Sequence, residues 1–426
     1  MASLQLLGLQ SRVEVPFIKV KIGRYTFGAY QETNLAKGVK TDLGVYRQLG
    51  IEFPNFVQSL EVKKINGQYN RYSLVMVYQI TQHNDPNFLV KVFSSVSDTR
   101  AIEFSYGDMS TPSFTYRTEK AMILDVRQEL SMESATITYR VTAASTGVLA
   151  TVGSFPFEAK TMKPSDRIKE ILYSPLYNLL EVFPGMRDRR LVEMLGLIDG
   201  TDIVENIEPK PSMPILDYLT FLVSCMRPSA SSKAGLYTIV IVDSVTDEPS
   251  GTYFKVIRVD KENEDTGVAY SLDIGVPTGN VVTAFHVDDN KAFSIFYDYA
   301  KQLSSFDYVK RIDENGKLID VYGPLLSSGN STFKTPPSVA SWWKSVTEYP
   351  IKASVTIRGL LRPATLMSQV RLRLYYFGRK YIYSGLYVVT SQTDRIDASG
   401  FSTTLGLTRI GQDASADGVE AAVLID

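Results

Sequence analysis

From Tyr72 to Ile80 the side chains alternate strictly, with Tyr72, Leu74, Met76, Tyr78 and Ile80 on one side and Ser73, Val75, Val77 and Gln79 on the other. A period of two is a strand signature, because a helix would scatter these residues around its circumference. Leu60 and Val62 alternate in the preceding run, and Asn66-Gly67 lies between, a pair that accepts the positive φ of a tight hairpin. A second hairpin is expected from Met122, Leu124 and Val126 opposed to Ile137, Tyr139 and Val141 across the polar link Ser131 to Ser134. Thr136, Thr138, Arg140 and Thr142 then face the other side. With the short run Ala101 to Tyr106, this first portion reads as an antiparallel sheet or barrel. The 25 Tyr and 20 Phe support that leaning, since aromatic rings favour half-buried pleated surfaces and subunit contacts.

After Gly153 the period changes. Ile168, Ile171, Leu172, Leu176 and Leu179 recur at helical spacing behind Pro164-Ser165-Asp166, and Pro175 must break or kink that helix. Ser212 and Pro214 open a second helix with the stripe Ile215, Leu216, Leu219, Leu222, Val223 and Met226. Strands are expected again at Tyr237 to Val242 and Tyr253 to Val259, so Phe155 to Asp260 reads as a mixed α+β module. Lys261 to Asp265 is a charged loop, Val281 to Phe285 and Ala292 to Tyr297 read as strands, and Ser327 to Pro337 as a long loop. Four strands close the chain: Val355 and Ile357; Val370, Leu372 and Leu374; Leu386 to Thr390; and Phe401, Thr403, Leu405 and Leu407. The last two are joined by Asp397-Ala398-Ser399-Gly400, and the tail from Gly411 is acidic and small-residue rich, hence expected to be flexible.

The two β portions overlay by order of elements. Ser59 to Val62 with Tyr72 to Ile80 falls on Ser354 to Ile357 with Val370 to Phe377, and the hairpin Met122 to Thr142 on Leu386 to Thr408. Either the chain carries a duplication, with two like barrels, or these segments share only the alternation common to all hairpins.

With 426 residues the chain is long enough for several domains. Basic and acidic residues balance at 45 against 46, so the long-range attraction behind dedicated DNA binding is missing. Cys225 is the single cysteine, which excludes an intrachain disulfide and fits synthesis in a reducing cytoplasm. No signal-like start and no apolar run of the ~20 residues that span a bilayer is present, so the chain is expected to be soluble and untargeted.

Chemistry has few candidates. His83, in the turn Gln82 to Pro86, and His286, after the strand ending at Phe285, are the only histidines. His286 with Asp288 and Asp289 offers a conceivable ligand set, but a plain hairpin turn accounts for the same residues. Cys225 sits on a helix's apolar stripe and reads as structural. Gly316-Lys317 lacks the earlier glycine of a phosphate loop and reads as a turn between Tyr308 to Ile312 and Leu318 to Val321. Arg371, Arg373, Arg379 and Lys380, interleaved with Tyr375, Tyr376 and Tyr381, are the nearest approach to a nucleic-acid surface, or simply the solvent face of a strand. Nothing specific supports a carboxylate pair for glycoside hydrolysis. The expectation is therefore no enzyme, no catalytic, cofactor-binding or metal residue, and no cofactor.

The order of these elements resembles the baseplate hub family of contractile-tailed phages, which includes late-control tail proteins and the hub part of type VI secretion spikes. The resemblance rests on Phe56-Val57-Gln58-Ser59-Leu60-Glu61-Val62, Asp85-Pro86 and Ile102 to Gly107; on Lys163 to Asp166 and Ser212 to Leu222; and on Gly385 to Val389 with Gly400 to Leu407. It implies a mainly β chain with an α+β insertion: two tail-tube-like antiparallel β-barrels and a central mixed domain. The boundaries expected are 1–150 for the first barrel, 151–270 for the central domain, 271–412 for the second barrel with a loop insertion at about 300–345, and 413–426 for a flexible acidic tail. The family further implies a homotrimer, partnered by a tail tube ring, a central spike protein and other baseplate proteins, with DNA only as passing cargo and no membrane insertion. Its place would be the virion tail baseplate, assembled in the host cytoplasm. Two other classes fit the same composition: a distal tail or tube protein forming a hexameric ring from one barrel, and a carbohydrate-active β-sandwich enzyme.

Overall fold

The fold is seen in a computed structural model, which describes residues 16–28, 49–95, 100–108, 115–176, 204–207, 209, 212–226, 237–244, 251–258, 265–275, 282–289, 310–312, 318–320, 351–359 and 366–411. Expectations for Ala292 to Tyr297, Ser327 to Pro337 and the tail 413–426 lie outside these residues.

Strands β1 (Pro16–Ile22), β2 (Tyr25–Gly28), β3 (Val57–Ile65) and β4 (Arg71–Gln79) precede a short helix α1 (Phe88–Ser94), and β5 (Ala101–Asp108), β6 (Thr115–Ser131) and β7 (Thr136–Ala144) follow it. The middle of the chain forms β8 (Lys160–Met162), helix α2 (Pro164–Tyr173), β9 (Glu205–Ile207), helix α3 (Ile215–Cys225) and the antiparallel pair β10 (Tyr237–Ser244) and β11 (Gly251–Arg258). The last portion holds β12 (Asp265–Ile274), β13 (Val282–Asp289), the small pair β14 (Lys310–Ile312) and β15 (Leu318–Asp320), β16 (Ile351–Arg358), β17 (Gln369–Tyr376), β18 (Arg379–Lys380), β19 (Gly385–Asp397) and β20 (Gly400–Gly411). The protein is mainly β, and most strands join one 14-stranded sheet that is antiparallel except where β12 runs parallel to β17.

Local sequence explains most boundaries. Alternation in β3 and β4 buries Leu60, Val62, Tyr72, Leu74, Met76 and Tyr78, and Gly67 takes φ +72 in the turn between them. Helix α2 begins with Pro164 at its first turn and stops at Ser174, whose extended backbone (ψ 124) precedes Pro175 as the proline ring requires. In the second hairpin the strand expectation needs correcting. A bulge between Ile123 and Asp125 shifts the faces, so Ile123 is buried while Leu124 is 45% exposed. His286 also moves: it lies inside β13, paired with Ser354, and not after the strand's end. Strand β1 went unread, although Ile18, Val20 and Ile22 alternate with Lys19 and Lys21 in the required way.

The sheet contains its own repeat. By hydrogen-bonded neighbours the first half runs β3-β4-β7-β6-β5-β1 and the second β13-β16-β20-β19-β17-β12, six strands in the same chain order in the same six places. Register agrees as well. The β3·β4 ladder slips between Val57 and Ser59 and the β13·β16 ladder between Val282 and Ala284. The β6·β7 ladder slips between Ile123 and Asp125 and the β19·β20 ladder between Val389 and Ser391. Aligning on either pair of bulges makes Ser73 the counterpart of Ser354, Asp125 of Ser391 and Glu61 of His286. One inversion distinguishes the halves: β1 is antiparallel to β5, whereas its counterpart β12 is parallel to β17.

This pairing revises the overlay drawn from sequence. The closing hairpins match as expected, but Ser354 to Ile357 corresponds to Ser73 to Met76 in β4, Val370 to Tyr376 to strand β5, and the counterpart of β3 is β13. Alternation alone lets any amphipathic strand overlay any other, and only the ladders and their bulges settle which match is right. Two apolar cores follow the halves, the first also taking in Ile396 of β19 and Phe401 of β20. One gathers Val20, Leu60, Leu74, Phe104 and Tyr139, the other Val355, Leu372, Val389 and Leu405. A third packs α2 and α3 through Ile168, Leu172, Leu219 and Leu222 against Phe157 and Ile207. Fully burying each such side chain contributes about 1.5–3 kcal/mol.

Candidate functional site

The two halves meet where β3 pairs with β19, and this seam collects the most heavily buried charges among the described residues. Leu60 opposes Ile396, Val62 opposes Asp394 and Lys64 opposes Gln392, and alternation turns all six inward. The seam therefore begins apolar and becomes polar as it passes under β4, β5 and β6.

Glu119 of β6 is fully buried beneath it. Lys64 Nζ donates to its Oε1 at 2.5 Å, Tyr72 OH to its Oε2 at 2.7 Å and Tyr106 OH to its Oε1 at 2.9 Å, while Arg117 Nη2 stands 3.5 Å from Oε1. Burial by itself pushes this carboxyl up, but Lys64 and Arg117 and the hydrogen bonds outweigh it and hold Glu119 at about 2. Asp394 on β19, 1% exposed, accepts from Thr403 Oγ1 at 2.7 Å and from Gln392 Nε2 at 2.8 Å. Burial dominates there and raises its pKa against the opposing pull of Arg117, Thr403 and Lys64. Burial, with the charge of Glu119 beside it, likewise raises Tyr106 well above the ordinary phenol value. Aromatic packing completes the seam: Tyr72 stacks on Phe104 at 4.9 Å, and Tyr106 meets Phe401 of β20 edge-on at 6.2 Å.

Two carboxylates pushed in opposite directions would mark an acid and a base in an open cleft. Here neither reaches solvent, and a base held at about 2 has no proton affinity to use near neutrality. What this arrangement does chemically is join the halves. Lys64 and Glu119 lie 55 residues apart in the first half, and Asp394 and Thr403 bring the second half to the same place.

The residues singled out from sequence are dispersed. His83 is exposed in the turn after β4, His286 is exposed on β13, and Cys225 is buried at the end of α3. Among the described residues no group of three or more His, Cys, Asp or Glu is placed to hold a metal ion, and no helix is long and apolar enough to cross a membrane. Arg371 and Arg373 alternate with the core residues Val370, Leu372 and Leu374 and are half-buried; both, like Lys380, have partners within the chain, and Arg379 is exposed. Sequence reading missed Lys64, Glu119 and Asp394 because a charged residue in an alternating strand looks solvent-facing until the strand's neighbours are known.

Fold and seam together define a class: a duplicated, mainly β chain whose buried polar groups serve to hold its halves. No family model matches the sequence, and neither does a curated protein. Among solved structures, the chain matches phage tail proteins, a component of the type VI secretion system and a PdpA-VgrG complex. One is a tail protein from Neisseria meningitidis MC58, 8% identical over 92% of this chain and 96% of that one, with a TM-score of 0.47. Another is the 43 kDa tail protein of prophage MuSo2 from Shewanella oneidensis, 10% identical over 93% and 98%, with a TM-score of 0.45. A component of the type VI secretion system of E. coli is 10% identical over 84% of this chain and 74% of that one, with a TM-score of 0.40.

Proposed function

We propose that this chain is the structural baseplate hub of a contractile phage tail, a trimeric, pseudo-six-fold ring that joins the six-fold tail tube to a three-fold central spike. The observation that carries the reading is the duplication: two halves with the same strand order and the same bulges. Three such chains offer six equivalent units to a six-fold neighbour while remaining three-fold themselves. On this reading residues 1–150 form one tube-like barrel, 151–270 the central domain and 271–412 the second barrel, with β12, which straddles the boundary, belonging to the second barrel, and 413–426 form a tail. The tube ring, the spike and other baseplate proteins are the partners, and the virion tail is the location.

The ring is not an enzyme, and its activity resides in assembly. Its lumen passes DNA without holding it, in keeping with 45 basic against 46 acidic residues. Native mass spectrometry of the purified full chain tests the reading, with three copies expected. A complex of six copies would assign the chain to the hexameric tube or distal tail proteins, and a species that stays monomeric at high concentration would overturn it.

A further inference from the structure

The hairpin of β17 and β18 ends in a tip that the seam does not use. Tyr376 pairs with Arg379 across a two-residue turn, Phe377-Gly378, in which Phe377 takes φ +49 and Gly378 φ +79. Two positive φ values in succession suit a hairpin's twist, and asparagine followed by glycine adopts them most readily. An aromatic residue in the first place is strained, because its Cβ crowds the backbone in the left-handed region. Phe377 is also 79% exposed. Its ring lies over Gly275 at the end of β12, where an added Cβ would stand 2.4 Å from Cδ1, so only a glycine there leaves the ring its seat. A large apolar side chain is thus held at the apex against both its conformational preference and its hydration.

The rest of the tip has the same character. Ile382 is 73% exposed, and Tyr376 and Ile274 are exposed beside it. Tyr376 meets Tyr381 edge-on at 5.0 Å and Tyr381 meets Tyr383 edge-on at 5.3 Å, bracing the hairpin from behind. Phe377 N–H donates to Ile274 C=O at 2.7 Å and Tyr381 N–H to Leu374 C=O at 2.8 Å, while Ser384 Oγ accepts from Leu374 N–H and donates to Leu374 C=O, both at 2.9 Å. Charge is one-sided. From Tyr349 to Thr393 no Asp or Glu occurs, in a chain with 45 basic and 46 acidic residues overall, and the tip itself carries Arg379, which is exposed, and Lys380. Asp273, opposite Tyr375 in the neighbouring strand, is half-buried and engaged within the chain.

We propose that this tip docks on an anionic lipid surface, with Phe377 and Ile382 entering the headgroup layer, the tyrosines at its level and Arg379 meeting lipid phosphates. Aromatic and aliphatic side chains flanked by cations, with no carboxylate among them, are what such an interface selects. The contact is shallow and crosses no bilayer, and it goes beyond the family resemblance, which implied no membrane insertion. Nucleic acid fits the same residues less well. Arg371 and Arg373 are half-buried with partners in the chain, which leaves too few cations to follow a phosphate backbone. The tyrosine rings are packed edge-on against one another and are not laid open as a platform for stacking bases. Docking of this kind is a property of the single chain and is independent of how many copies assemble.

Co-sedimentation of the full chain with phosphatidylcholine vesicles, made with and without phosphatidylglycerol, tests the docking. Binding should require phosphatidylglycerol and weaken as salt rises. Phe377→Asn is the informative variant: asparagine suits the left-handed turn better than phenylalanine, so thermal unfolding should hold or rise while vesicle affinity falls about tenfold. Ile382→Ser should lose a similar factor, and Arg379→Glu several-fold with a flatter salt dependence. Met132→Ser and Leu176→Ser, at side chains 84% and 75% exposed elsewhere on the chain, should bind as the wild type does. No binding to either vesicle, or binding that Phe377→Asn and Ile382→Ser leave unchanged, would overturn the proposal. Equal binding to both vesicles would overturn it too, by removing the role of lipid charge. Retention of a single-stranded oligonucleotide that Phe377→Asn abolishes, with vesicles left unbound, would assign the tip to nucleic acid instead.

Discussion

Replacing Glu119 with Gln removes one charge from the seam and almost no volume, so its effect is electrostatic and leaves no cavity. In the native chain Glu119 is 0% exposed and answers Lys64, whose side chain is 10% exposed, together with Tyr72 and Tyr106. After Glu119→Gln, Lys64 keeps its burial and loses its counter-charge, which costs ~3–5 kcal/mol for a pair broken on one side. One tyrosine hydroxyl then faces an amide NH2 where it had an acceptor, adding ~1 kcal/mol. The titration of Glu119 gives an independent figure. Its folded value of about 2 lies below the ordinary glutamate value of 4.5, so its stabilisation is complete above about 4.5 and fades as pH falls through about 2. At 1.36 kcal/mol per unit this amounts to ~3 kcal/mol. Asp394 acts with the opposite sign: raised in the fold, its contribution is present below the unfolded value near 3.8 and lost as pH rises through its folded value. Within the seam, Asp394 therefore offsets part of the acid loss that Glu119 causes. Urea unfolding followed by circular dichroism at pH 7, and across pH 2 to 7, measures both effects in the wild type, Glu119→Gln, Lys64→Met and the double variant. The double should lose less than the sum of the singles, by ~0.5–3 kcal/mol of coupling. If Glu119→Gln cost under ~1 kcal/mol and left the acid limb unchanged, the electrostatic account of the seam would be refuted.

Leu74→Ala and Leu405→Ala, each in a different core and no more than 1% exposed, should each cost ~2–5 kcal/mol and add within ~0.5 kcal/mol in the double variant. Strong non-additivity in urea unfolding would mean the halves share one core. Gly359→Ala sets a Cβ 2.3 Å from Phe401 Cγ and should displace that ring from Tyr106 at a cost of ~1–3 kcal/mol, measured by thermal unfolding. An unchanged melting temperature would show that the ring yields freely. His83→Ala, His286→Ala and Cys225→Ala should leave ring assembly intact by native mass spectrometry. Loss of infectivity in any of the three with normal rings would reveal chemistry that the seam does not account for.

Much of the fold was legible residue by residue. Alternation in Tyr72 to Ile80, the stripe Ile215 to Val223 and the proline that ends α2 at Ser174 are local facts, set by backbone geometry within a few residues. The closing hairpins of the two halves could be matched for the same reason. Partner choice could not. Whether Ser354 to Ile357 repeats β3 or β4, and whether Leu124 or Ile123 faces the core, depends on ladders and bulges between segments far apart in the chain. The seam lay furthest out of reach. Lys64, Glu119 and Asp394 look like solvent-facing charges in their own strands, and only the pairing of β3 with β19 closes water away from them. Strand period is a property of the local chain, whereas burial of a charge is set by what another strand covers, and that the tertiary structure alone decides.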